Sequence, residues 1–119
     1  MEIKIKKLHP QAIIPEYKTA GAAGFDFSLI EDITIPARST AKVPTGLVIA
    51  VPENYVLLVF SRSSGPLKTG TTMANGAGVL DSDYCGPNDE IFCLSFGYLL
   101  DYFSTTVVGY FQHFHLFWN

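Results

Sequence analysis

A chain of 119 residues, 48% hydrophobic and 16% charged, suffices for one domain with a real core and leaves little room for a second. The formal charge of −3 excludes a general affinity for nucleic acid or an anionic membrane, yet allows a small anionic substrate at one local cluster. The charge is unevenly spread: residues 1–68 hold all eight Lys and Arg with six acidic residues, and residues 69–119 hold five acidic residues and no Lys or Arg.

The N-terminal EIKIKKL places Ile3, Ile5 and Leu8 opposite Lys4 and Lys6, an alternation that predicts a strand. HPQAIIPEY follows as a short extended piece bounded by Pro10 and Pro15. TAGAAGFDF, Thr19 to Phe27, is too rich in Gly and Ala for a stable helix and too small for a core strand, so it reads as a loop entering one. Ile33 and Ile35 then alternate, Pro36 to Ser39 turn, Val43 continues, and Pro44 to Gly46 turn again. Leu47, Ile49 and Val51 alternate, Pro52 to Asn54 turn, and Tyr55 to Phe60 form a continuous apolar strand. SRSSGPLKTG, Ser61 to Gly70, is a loop with hydroxyls and two cations. Thr71 to Met73 form a short strand, ANGAG a tight connection, and Val79 and Leu80 the start of another strand. No window is helical, and short strands at spacings of about eight to twelve residues predict an all-β barrel or sandwich.

After Glu90 the character changes. The 29 residues from Ile91 hold ten of the sixteen aromatics and one charge, Asp101, with no lasting alternation, no NG or DG turn and no Lys or Arg gatekeeper. A buried terminal hairpin is one reading. A membrane span over Ile91 to Phe111 is a second, opposed by Asp101 at its middle, by its Ser, Thr and Gly, and by missing basic anchors. The favoured reading is a segment foreign to the fold of the first ninety residues, as a frame-shifted or truncated gene would produce. The expected division is therefore a β domain over 1–90 and an atypical aromatic-rich tail over 91–119.

Cys85 and Cys93 lack metal-site spacing, and MEIKIKKLHP is no secretory signal, so the expected setting is cytoplasmic or otherwise intracellular. The two cysteines are expected to be small buried hydrophobes, with a disulfide as the alternative. His9, His113 and His115 lie at the two ends of the chain, which argues against a zinc site.

Several side chains carry chemistry. Arg62, Ser63, Ser64, Gly65 and Lys68 offer a guanidinium fork, hydroxyls and backbone N–H groups, the donor set for phosphate; a solvated turn is the alternative. No GxxxxGK[ST], GxGxxG or HExxH occurs. Asp26, in AGFD, reads alone as a solvated or capping carboxylate. Asp81 follows an apolar pair, a placement expected to hold a carboxylate near a partly dry pocket where it acts as a base toward water. Asp83, Asp89 and Glu90 read as turn carboxylates, and Tyr84 offers a flat face for a sugar or a base. Hydrolysis of a polyphosphate needs cationic donors, a divalent ion and a base, and Arg62, Asp26 and Asp81 supply these only if folding unites them.

AGFDF (Ala23 to Phe27), SRSSGPLKTG and ANGAGVLDSDYCG (Ala74 to Gly86) resemble the first three of five motifs of the homotrimeric dUTP diphosphatases, in that family's order. The resemblance covers about Ile3 to Glu90. It implies a β-clip or distorted jelly-roll barrel, incomplete at the C-terminus, in a homotrimer with sites between subunits. The implied reaction is attack of water on the α-phosphorus of dUTP, giving dUMP and pyrophosphate with Mg²⁺ bridging the phosphates. Asp26 resembles the aspartate that helps hold hydrated Mg²⁺; Arg62, Ser63 and Ser64 resemble the phosphate-binding group. Asn75 and Gly78 fall in the hairpin that reads uracil through its backbone. Asp81 resembles the carboxylate that binds the 3′-hydroxyl and orients or deprotonates the attacking water, and Tyr84 the residue that leaves no room for a 2′-hydroxyl. No membrane or nucleic-acid partner is implied.

The fourth motif, GxRxAQ, and the glycine-rich fifth are absent, which implies impaired activity. The alternative is a non-catalytic nucleotide-binding or trimerisation module. A dCTP deaminase, of the same broad fold, matches GVLDSDY less well.

Overall fold

The computed structural model describes residues 2–97, 105–107 and 113–118. Strands β1 (Lys4–Lys7), β2 (Ile33–Ile35), β3 (Thr40–Pro44), β4 (Leu47–Ala50) and β5 (Tyr55–Phe60) precede a short helix, α1 (Gly65–Thr69). Strands β6 (Thr71–Met73), β7 (Ala77–Leu80), β8 (Phe92–Gly97), β9 (Thr105–Val107) and β10 (His113–Trp118) follow. The architecture is all-β as expected, and each pairing is antiparallel: β1 with β4, β2 with β9, β8 between β3 and β6, and β5 between β10 and β7.

The alternation of β1 is seen directly, with Ile3 and Ile5 packed on the core and Lys4, Lys6 and Lys7 exposed. Phe27, Ile35, Leu47, Ile49 and Leu57 are fully buried at its centre. Phe25 meets Phe27 edge-on at 6.1 Å and Tyr17 at 5.4 Å, so AGFDF is anchored by its aromatics on either side of Asp26. Strand β4 buries Val48 as well as its neighbours, because its apolar residues are covered on both faces. The turn expected at Pro44 begins one residue later: Pro44 closes β3, and Gly46 turns the chain with φ +69°.

Three expectations are corrected. Residues 65–69, read as loop, form one helical turn: Pro66 fits the first turn, where its missing N–H is no loss, and Gly70 closes it at φ 62° by donating to the Pro66 carbonyl at 3.2 Å. Val79 and Leu80 end a strand rather than start one, because Ala77 and Gly78 already pair with Phe60 and Val59. No disulfide joins the two cysteines, and only Cys93 is the buried small side chain expected, because Cys85 is exposed.

Residues 91–97 also alternate, against expectation. Ile91, Cys93, Ser95 and Gly97 are buried while Phe92 and Leu94 are exposed; apolar side chains on both faces conceal this period in the sequence. Asp101 and most of the residues on which the membrane-span and terminal-hairpin readings depend lie outside the described residues. Among the described residues, no helix is long and apolar enough to cross a membrane.

Candidate nucleotide site

The connection between β6 and β7 is a tight hairpin. The Gly76 N–H donates to the Met73 carbonyl at 3.2 Å and the Ala77 N–H to the Asn75 carbonyl at 2.8 Å, and Gly76 takes φ +73°, leaving Asn75 exposed at the tip. Beside this hairpin lies a groove of about 320 Å³, lined by Asn75, Gly78, Val79 and Leu80 together with Tyr84, Glu90 and Phe92. Gly78 lets β7 sit close on β5: a Cβ there would stand 3.1 Å from the Val59 Cβ. Gly78 also lines the groove.

Tyr84 is half-exposed at 41%, and its hydroxyl donates to the Glu90 carbonyl at 3.0 Å. Its N–H donates to the Asp81 carbonyl at 3.1 Å. Asp89 is the turn carboxylate the sequence predicts, accepting from the Gly86 N–H at 2.7 Å. Glu90 is not merely solvated: it is partly buried, and its Oε1 accepts from the Gly46 N–H at 2.8 Å. Neither Glu90 nor Lys42, whose Nζ lies 3.7 Å from the Phe92 ring centroid on the groove wall, is marked by a local motif. Their partners lie far away in sequence.

The structure joins two other predicted residues. Arg62 Nη1 lies 3.5 Å from Asp26 Oδ2, with side-chain exposures of 37% and 12%. The start of this loop is fixed by Ser61, whose Oγ accepts from the Met73 N–H at 2.8 Å. Ser63 is exposed, and Ser64 precedes α1 without a side-chain capping bond. Asp26 also borders a second cavity of about 160 Å³, with Ile13, Ile14 and Lys18 among its walls.

Asn75, Gly78 and Tyr84 therefore share the groove, and Asp26 and Arg62 share an ion pair. Asp26, Arg62, Ser63, Ser64 and Asp81 are not among the groove residues. Asp81 is exposed directly after β7, so in the single chain it is solvated rather than set in a partly dry pocket.

Among the described residues, no cluster of three His, Cys, Asp or Glu is arranged to hold a metal ion. One carboxylate next to a guanidinium does not cage a cation, but it fits an ion that arrives with phosphate oxygens and water as most of its shell. Burial pushes the Cys93 thiol up from 9.0 to about 12, which keeps it protonated and unreactive, a structural rather than a catalytic role.

Comparison with known proteins extends this geometry. The sequence profile of the dUTPase family matches residues 10–96. A deoxyuridine 5′-triphosphate nucleotidohydrolase of Wolinella succinogenes is 49% identical over 86 residues, covering 72% of this chain and 58% of that protein. The aligned chain thus spans under three-fifths of the length of that relative. The crystal structure of dUTPase from Streptococcus mutans superposes with a TM-score of 0.83 at 28% identity, covering 96% of this chain and 94% of that one. A mutant dUTPase from phage phi11 of S. aureus, described with a coordinated structural Mg(II) ion, shares the fold with a TM-score of 0.76 at 20% identity, over 98% of this chain and 82% of that one. The family match takes in all three motifs and the groove residues of both strands β7 and β8, and this chain belongs to the dUTPase family.

Proposed function

We propose that this chain hydrolyses dUTP to dUMP and pyrophosphate with Mg²⁺, in a homotrimer whose sites lie between subunits and whose subunit is a β-clip or jelly-roll barrel working inside the cell. The observation that carries this reading is the groove beside the β6–β7 hairpin, which unites Asn75, Gly78 and Tyr84 in a chain of this family. Backbone groups around Asn75 and Gly78 read the uracil edge. The Tyr84 ring lies under the deoxyribose. Arg62, Ser63 and Ser64 bind the phosphate chain, and Asp81 takes a proton from the water that attacks the α-phosphorus while pyrophosphate leaves. Mg²⁺, when bound, offsets charge on the phosphates, and Asp26 holds it through water. The separation of the Asp26–Arg62 pair from the groove, whose own cation Lys42 lies over the Phe92 ring, supports a shared site, because a neighbouring subunit then supplies the guanidinium that the groove lacks.

The altered C-terminal segment belongs to the same proposal, with its boundary moved from Glu90 to beyond residue 96, where the family match ends; the residues that follow are read as the part that impairs the reaction. Resequencing downstream of the Glu90 codon tests it, since an unshifted frame would remove the explanation. The activity is tested with purified protein, dUTP and Mg²⁺. Pyrophosphate release that Asp81→Asn abolishes, by about two orders of magnitude or more, is expected. Nucleotide binding without pyrophosphate, in both proteins, would overturn it in favour of a non-catalytic module.

A further inference from the structure

We infer that Glu90 is a positioning residue for the Tyr84 ring, and through it sets discrimination between deoxyribo- and ribonucleotides; this rests on the uridine-nucleotide reading of the groove. The segment from Asp81 to Glu90 is held mainly by contacts within itself: Tyr84 to Asp81, Asp89 to Gly86, and Glu90 to Asn88. From outside, Lys6 Nζ reaches the Pro87 carbonyl at 3.1 Å. The rest of its attachment lies at its end. There the Ile91 N–H donates to the Leu47 carbonyl at 2.9 Å, Thr45 Oγ1 donates to the Ile91 carbonyl at 2.7 Å, and Glu90 Oε1 accepts from the Gly46 N–H at 2.8 Å.

Gly46 is a fixed donor. It is buried, its carbonyl accepts from the Leu8 N–H at 2.8 Å, and it is closely surrounded by Ile30 and Ala12. The carboxylate therefore takes its position from the core, and the carbonyl of the same residue receives the Tyr84 hydroxyl. One residue thus transmits the placement of the β3–β4 turn to an aromatic ring on the groove wall. A charge-assisted bond to a backbone N–H is among the stronger kinds, and removing it strands a buried donor. Without it the end of the segment is tied to the core through Ile91 alone, and the Glu90 carbonyl that receives the Tyr84 hydroxyl loses its side-chain tether to the β3–β4 turn.

The test measures binding of dUMP and UMP by calorimetry, so it does not require turnover, together with amide exchange at Gly46. Glu90→Ala is expected to speed Gly46 exchange by about tenfold or more and to lower the dUMP-to-UMP affinity ratio by about tenfold. Glu90→Gln, which keeps the acceptor oxygen, is expected to restore most of both. Tyr84→Phe is expected to lower the affinity ratio while leaving Gly46 exchange unchanged. An unchanged ratio in Glu90→Ala, equal loss of both nucleotides, or no rescue by Glu90→Gln would overturn the inference. If wild-type protein binds dUMP selectively yet releases no pyrophosphate, the hydrolytic reading fails while this one is still decided by the ratio. A wild-type protein that binds neither nucleotide overturns this inference too.

Discussion

Replacing Gly46 with alanine measures how tightly the β3–β4 turn is enclosed. At φ +69°, an added Cβ would lie 2.7 Å from Ile30 Cγ2, 2.9 Å from the Ala12 Cβ and 3.1 Å from the His9 Cβ. The Ile30 methyl can rotate away, but the Ala12 and His9 Cβ atoms move only with their backbones. Gly76 is the matched control: its φ is +73°, and a Cβ there meets nothing within 4 Å. Both alanines carry the left-handed penalty of about 1–2 kcal/mol, whereas overpacking of about 1–3 kcal/mol falls on position 46 alone. Gly46→Ala should therefore lose about 2–5 kcal/mol and Gly76→Ala about 1–2 kcal/mol. Urea unfolding followed by circular dichroism, at matched protein concentration, reads the difference. With a slope of about 2 kcal/mol/M, a gap of about 2 kcal/mol separates the midpoints by about 1 M. Losses equal within about 0.5 kcal/mol would show that the turn relaxes freely and that the steric reasoning is wrong.

Cys93 gives a pH prediction. Its thiol is pushed up from 9.0 to about 12 by burial, so the folded chain keeps a proton that the unfolded chain releases, and stability falls as pH rises from about 9 toward 12. At pH 10 this group costs on the order of 1 kcal/mol, a component that should be present in wild-type and absent from Cys93→Val when their unfolding is compared across pH 8 to 10.5; parallel curves would contradict it. Metal withdrawal separates catalysis from folding. Because no metal cluster exists among the described residues, EDTA should stop pyrophosphate release while shifting the melting temperature by less than about 1 °C; a large fall would reveal a structural ion.

The strands were legible because their signals are local. Ile3 and Ile5 alternate with lysines, and Tyr55 to Phe60 form an apolar run bounded by turns. Helix α1 was hidden because a single turn with Pro66 and Gly70 carries no periodicity. The outward face of β8 was hidden by Phe92 and Leu94, which replace the polar half of the usual alternation. At the site, AGFDF, RSS and GVLDSDY were readable as motifs, yet the contact of Asp26 with Arg62 and that of Glu90 with Gly46 are products of long-range pairing. Asp81 shows the reverse case. Its neighbours Val79 and Leu80 promised shelter, but they lie at the end of β7, where the next residue emerges into solvent.

The sheet order has a consequence for how the chain is made. The β5–β7 ladder joins nearby residues, from Phe60 with Ala77 to Leu57 with Leu80. Strand β3, by contrast, has β8 as its sole strand partner among the described residues, with Pro44 opposite Phe92 and Thr40 opposite Phe96. At a synthesis rate of about 5–20 residues per second, β3 waits on the order of 3–10 s before its partner exists. During that interval the nascent chain carries an open strand edge next to Val43, a residue destined for the core. Cellular yield should therefore depend on what shields that edge on the ribosome, and slower synthesis at low temperature would lengthen the exposure rather than relieve it.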